Sequence, residues 1–258
     1  MILHTLRYEL LALARNKRAR LFTLAFPILL LVVLAGMAGH DTRTTFDGAG
    51  VSLQRFFLPG VLAMSIMTSC FAALVQVVVT RRHTGIYRRR RATPVPAHVL
   101  VVAQTLATTI IAAIAATILL VIGKAAFDIG IAPGALVAVA IAVVVGALSL
   151  CAVAFLVASV IPTPDTAQPV VQFVMFPVLF ISGIWFSRDD MPHWLRMVGD
   201  ALPVAHLSDA LHQAVQASSF GAAFAPGDLA VLVAWGAGAA WLASRRFSWL
   251  PSTAAATS

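Results

Sequence analysis

Apolar residues gather into six long runs, at 21–38, 57–80, 98–122, 133–161, 167–186 and 229–244, and none of the six contains Asp, Glu, Lys or Arg. A bilayer core about 30 Å thick takes roughly 20 apolar residues of helix at 1.5 Å each, so every run predicts a membrane-spanning helix. The first and last runs are short, and the fourth is long enough to tilt. Ahead of them, Leu3, Leu6, Leu10 and Leu13 recur at spacings of three and four, which lines one helical face. Arg7, Arg15, Arg18 and Arg20 can reach anionic headgroups from such a helix, so 1–20 is expected to lie at the membrane surface. The predicted fold is an all-α polytopic membrane protein. It has an interfacial amphipathic helix over 1–20, a six-span domain over 21–250 and a short tail over 251–258.

Composition supports this picture. The chain has 258 residues, of which 60% are hydrophobic and only 11% charged, against roughly 25% charged in a soluble domain. A soluble enzyme, a disordered chain and a small secreted scaffold are excluded on that ground. The net charge of +8 is explained by its placement. Thirteen of the 18 Lys and Arg fall before the first run, between the second and third, or after the sixth, and five fall on the other side. The positive-inside rule then puts both termini in the cytoplasm of a bacterial plasma membrane and leaves nucleic acid out of the account.

Catalytic chemistry has little to stand on. Cys70 and Cys151 lie inside apolar runs without metal-ligand spacing and read as buried thiols. No H-E-x-x-H, G-x-S-x-G or G-x-x-x-x-G-K-[ST] occurs. His206, Asp209 and His212 recur every three residues, but one helical face rarely supplies a full zinc shell, and no metal is expected. No cofactor is expected in this chain, and the energy for any uphill movement must arrive from a partner. Spans without ionisable groups also weaken a secondary carrier. Gly134, Ala138, Ala142 and Gly146 form a stripe of small residues four apart on the fourth span. The stripe can serve either an internal contact or a seam between two copies.

Two segments carry more. After the second span comes Arg81-Arg82-His83-Thr84-Gly85-Ile86-Tyr87-Arg88-Arg89-Arg90-Arg91-Ala92-Thr93-Pro94-Val95-Pro96. Gly85 can bend a helix and the prolines force an extended exit, which a plain basic stop signal does not require. Between the fifth and sixth spans, Phe180-Ile181-Ser182-Gly183-Ile184-Trp185-Phe186 is followed by Met191-Pro192-His193-Trp194-Leu195, by Leu202-Pro203 and by His206-Leu207-Ser208-Asp209-Ala210-Leu211. That segment is too apolar for a free loop, and its tryptophans suit the headgroup zone.

Both stretches resemble the type-2 permease family of ATP-binding-cassette (ABC) exporters, in particular its daunorubicin-resistance branch. Family members often carry Glu where this chain has His83. The resemblance implies a transmembrane subunit that works with two ATPase subunits and a second permease copy. The loop residues Arg82, His83, Thr84, Gly85, Arg88, Arg89, Arg90, Arg91 and Pro94 would receive the ATPase. Short re-entrant helices would form an outer gate at Trp185, Trp194, Pro203 and Asp209. Gln76, Gln104, Gln168 and Gln172 are the polar residues expected along an otherwise apolar path, which suits a lipophilic drug, a lipid or a lipid-linked glycan. A membrane-embedded accessory or assembly protein without transport is the alternative of a different class.

Overall fold

The computed structural model describes residues 2–15, 25–37, 43–46, 49–87, 97–186, 188 and 191–246. Arg88 to Arg91, Pro94, the segment 16–24 and the tail 251–258 lie outside the described residues. The chain begins with α1 (Ile2–Arg15) and α2 (Phe26–Met37). An antiparallel hairpin, β1 (Arg43–Phe46) against β2 (Ala49–Ser52), pairs Phe46 with Ala49 next to its turn. The remaining elements are α3 (Leu53–His83), α4 (Ala97–Phe127), α5 (Pro133–Val160), α6 (Pro164–Ile181), α7 (His193–Asp200), α8 (Pro203–Gln216), α9 (Phe220–Ala223) and α10 (Pro226–Arg246). The all-α expectation therefore needs one amendment, the two-stranded hairpin between α2 and α3.

Among the described residues, four helices are long and apolar enough to cross a membrane: α3, α4, α5 and α10. The other two predicted spans are not among these four. Only 25–37 of the first run is described, and its helix α2 is 12 residues long. The fifth run stops being helical at Ile181, five residues before its apolar stretch ends. Asp165, Gln168, Gln172 and the prolines at 164, 169 and 177 dilute the hydropathy of α6. Three of the four, α3, α4 and α10, outrun the apolar stretches that predicted them. Their ends carry Arg55, Arg81, Arg82 and Lys124, whose long stems can carry the charge to water or to polar partners there.

The helix α5 occupies the middle and packs against α3, α4, α8 and α10. Its small-residue stripe makes an internal contact. Ala138 and Ala142 are buried, and at Gly146 a Cβ would come within 2.4 Å of the Leu207 side chain on α8. Lipid tails offer no hydrophobic contrast to drive helices together, so such close approaches are what hold a bundle in a bilayer. Gly134, at the far end of the stripe, is exposed. The middle of α3, Thr68–Ala73, is wound as a π-helical segment. There the Thr68 and Ser69 hydroxyls donate to the carbonyls of Met64 and Ser65, both at 2.8 Å. Cys70 in this widened turn and Cys151 of α5 are both fully buried in the same core, although 81 positions apart.

At Gly60 the close neighbour is backbone and not a flexible side chain: a Cβ there would stand 2.5 Å from the Ile184 carbonyl oxygen. Gly60→Ala is therefore expected to cost about 1–3 kcal/mol through forced displacement of backbone. Gly238→Ala, where nothing lies within 4 Å, is expected to be neutral or to gain up to about 1 kcal/mol from helix propensity. Thermal unfolding of the two variants in the same detergent checks this; equal midpoints would refute the packing described at Gly60.

Candidate functional site

Three polar assemblies interrupt the apolar bundle. The first gathers at the end where α3 finishes. The last turn of α3 carries Arg81, Arg82 and His83, and successive helical residues point about 100° apart, so the three go different ways. Arg81 reaches Glu9 of α1 at 2.7 Å and Gln104 of α4 at 3.3 Å. The Tyr87 hydroxyl donates to the same Gln104 oxygen at 3.1 Å. Glu9, Tyr87 and Gln104 are buried. A buried ion pair of this kind contributes little net stability, but removing one partner leaves an uncompensated charge that costs several kcal/mol. It fixes the position of α1 against α3 and α4.

Arg82 turns inward. Its guanidinium donates to the Ile161 carbonyl and, at 3.5 Å, to that of Ser159. Those carbonyls belong to the end of α5, where the last four of any helix lack an internal donor and the dipole favours a cation. Arg82 thus caps α5 from the end of α3 and is not presented outward with its neighbours. His83 and Thr84 are exposed. Gly85 then takes φ +70° and donates to the Arg82 carbonyl at 3.2 Å. Only glycine adopts this left-handed closure without strain. Of the nine loop residues predicted to receive a partner, four are described, and three of these face outward or form the turn.

The second assembly joins α3 to α6. Gln76 donates to Gln168 at 2.8 Å, and Gln172 stands one turn further along the same face of α6. The Gln172 carbonyl oxygen is buried without a hydrogen-bond partner among the described residues. Three of the four predicted path glutamines are therefore neighbours, whereas Gln104 belongs to the network under α1.

The third assembly lies at the opposite end. Arg188, the only basic residue between Lys124 and Arg196, pairs with both Asp200 and Asp209. Its stem lies against Gly183, which has φ +73° and no Cβ to obstruct it. His206 contacts Asp228 at 2.7 Å and the Asp200 carbonyl at 2.9 Å. Together these contacts tie the turn after α6, the end of α7, the start of α8 and the start of α10. Pro203 begins α8 and is buried; Trp185 is half-buried in the turn after α6; Trp194 on α7 is 66% exposed beside exposed Met197 and Val198. The helix α8 itself is packed among α3, α5 and α10. Within it His212 approaches the Phe56 carbonyl at 3.1 Å and the Ser208 carbonyl at 2.9 Å. His206, Asp209 and His212 thus serve three different sets of partners. The sequence singled out Asp209 but not Arg188, whose place as the single Lys or Arg between Lys124 and Arg196 was the available signal. It gave no sign of the Glu9–Arg81 pair, because neither residue is marked by spacing.

The family model of the ABC-2 type transporter matches residues 2–215, which run from α1 through most of α8. The putative transport permease YvfS of Bacillus subtilis (strain 168) is 24% identical over 215 residues, covering 82% of this chain and 84% of that protein. The probable multidrug ABC transporter permease YbhR of Escherichia coli (strain K12) is 27% identical over 158 residues, covering 61% of this chain and 43% of that protein.

Burial pushes the Asp209 carboxyl up to about 6, against the pull of the Arg188 guanidinium. A carboxyl whose folded value exceeds its unfolded value of about 3.9 binds protons more tightly when folded. Its ionisation therefore costs stability as pH rises from about 4 through 6. The melting temperature of the wild-type protein minus that of Asp209→Asn is expected to fall across this window and flatten above it. A difference that stays constant from pH 4 to 7 would contradict the burial of that carboxyl.

Proposed function

The chain belongs to the ABC-2 type transporter family, and we propose that it is the membrane-spanning subunit of an ATP-driven exporter, moving a lipophilic drug, lipid or lipid-linked glycan outward. Two copies of the chain and two separate ATPase subunits, which hold ATP and magnesium, form the working assembly. Six crossings, completed by α2 with the residues before it and by α6, leave both termini in the cytoplasm of a bacterial plasma membrane. The helix α1 lies at the inner surface.

One observation carries the mechanism. The residues at the end of α3 are fastened at once to α1 through Glu9, to α4 through Gln104 and to α5 through Arg82. A push delivered at His83, Thr84 and Gly85 by closing ATPases then moves α1, α4 and α5 together, because none of them can lag without breaking a buried charge contact. At the opposite end the Arg188 contacts with Asp200 and Asp209 form the gate, which opens when the tilt of α5 displaces α8. Gln76, Gln168 and Gln172 supply the few hydrogen bonds of an otherwise apolar path. The likeness to a permease named for multidrug transport supports an amphiphilic cargo.

Gly85→Pro cannot adopt the positive φ of this turn. The variant is expected to insert normally while losing at least about tenfold of the ATP hydrolysis stimulated by cargo, as does reversal of Arg88 to Arg91 to Glu. Co-purification with the cognate ATPase and the stimulated rate are the measurements, with membrane topology followed in the same samples. Unchanged co-purification together with unchanged stimulation would remove the loop from the mechanism.

A further inference from the structure

A cavity of about 690 Å³ opens between α4, α5 and α10, away from the glutamines of α3 and α6. Its walls are almost wholly apolar, with Val101 and Val102 on α4, Leu148 and Phe155 on α5, and Val233 and Ala240 on α10. Val102, Leu148 and Val233 are 40–57% exposed, so the cavity is a groove open on the outside of the bundle, where lipid lies. Its floor exists because α10 has Gly236 where it crosses Ser149: a Cβ would stand 3.2 Å from the Ser149 Cα.

The groove lies toward one end of the bundle. It is lined near the start of α4, from Val145 to Phe155 on α5 and from Leu232 to Ser244 on α10. From Leu232 to Ser244 the helix rises about 18 Å, which matches the hydrocarbon depth of a single leaflet, about 15 Å. At that end the chain continues directly into Arg245 and Arg246, both exposed. Arg245 is held 4.2 Å over the ring of Trp241, one turn earlier on α10, which keeps its guanidinium against the helix one residue beyond the groove's last lining residue, Ser244. Hydroxyls of Thr105 and Ser244 add the polar wall atoms.

We propose that this groove holds one acyl chain of an anionic phospholipid, with the phosphodiester headgroup bound by Arg245 and Arg246. A long apolar slot of leaflet depth with two cations at its mouth is complementary to that molecule and to no soluble anion, which would leave the slot empty. The site requires only the bilayer; it is separate from the cargo path and independent of the transport reading.

The test uses the full-length protein in liposomes doped with phosphatidylglycerol bearing a diazirine midway along one acyl chain. A parallel sample contains phosphatidylcholine with the same chain. After irradiation, cross-linked peptides are located by mass spectrometry. Cross-links from phosphatidylglycerol are expected on the groove face of α10 and the facing part of α5, about fivefold or more above phosphatidylcholine. The double variant Arg245→Gln, Arg246→Gln is expected to bring the two lipids level, while Arg245→Lys, Arg246→Lys keeps the preference. Ala240→Trp fills the groove from an exposed position and is expected to abolish cross-linking there with both lipids; an unchanged melting temperature shows that the variant is folded. Equal cross-linking by the two lipids would overturn the proposal. So would labelling spread evenly onto other exposed side chains such as Phe173, or a preference that survives the double Gln variant.

Discussion

A guanidinium at the end of an apolar helix must find hydrogen-bond acceptors before it can rest near a membrane, and Arg82 finds them on the exposed carbonyls that finish α5. The rest of the structure depends on this contact. Helices within lipid gain nothing from hydrophobic contrast. Their arrangement is decided by close packing of small residues and by a few polar ties at the ends. Arg82 closes one end of the α3–α5 pair, Gly146 lets α8 against α5, and the Arg188 contacts tie α8 to α7 and to the turn after α6. Through Arg82 at one end and α8 along its side, α5 connects the two polar assemblies.

The two ends differ in kind. At the end of α3 the ties are buried, and the Glu9–Arg81 pair is shielded from salt and water. At the opposite end Asp200 is half-exposed and Asp209 partly so, and the carboxyl of Asp209 titrates near 6. Under the proposed mechanism this is a firm joint where force would enter and a weaker one where cargo would leave. The exposed aromatic and aliphatic face of α7, with Trp194 and Met197, adds an apolar surface at that end.

Much of this was legible in the sequence because hydropathy needs no partner to be read. The runs that became α3, α4, α5 and α10 are apolar throughout their length, and the short helices between α6 and α10 follow from an outer segment too apolar to be a loop. The apolar run over 167–186 continues past its helix because Ile184 to Phe186 are apolar, whereas the helix ends at Ile181, just before Gly183 at positive φ. Gln104 stands apart from the other three glutamines for a different reason. A glutamine one-third along an apolar run looks like a path residue, but Arg81 and Tyr87 lie within reach from the neighbouring helix end. Pairings such as Glu9 with Arg81 and Arg188 with Asp209 depend on how helices stack. No periodicity within one helix records that.

The central claim is that force entering at the end of α3 reaches the exit at α7 and α8. It is tested most directly by one distance. Spin labels at His83 and Met197, both exposed, would be placed on one permease copy of a complex reconstituted with its ATPase subunits. The distance would then be measured by pulsed electron resonance without nucleotide and with ATP trapped by vanadate. The account predicts a shift of several ångströms on trapping, lost in Gly85→Pro. An unchanged distance in a complex that still hydrolyses ATP and moves its cargo would contradict it.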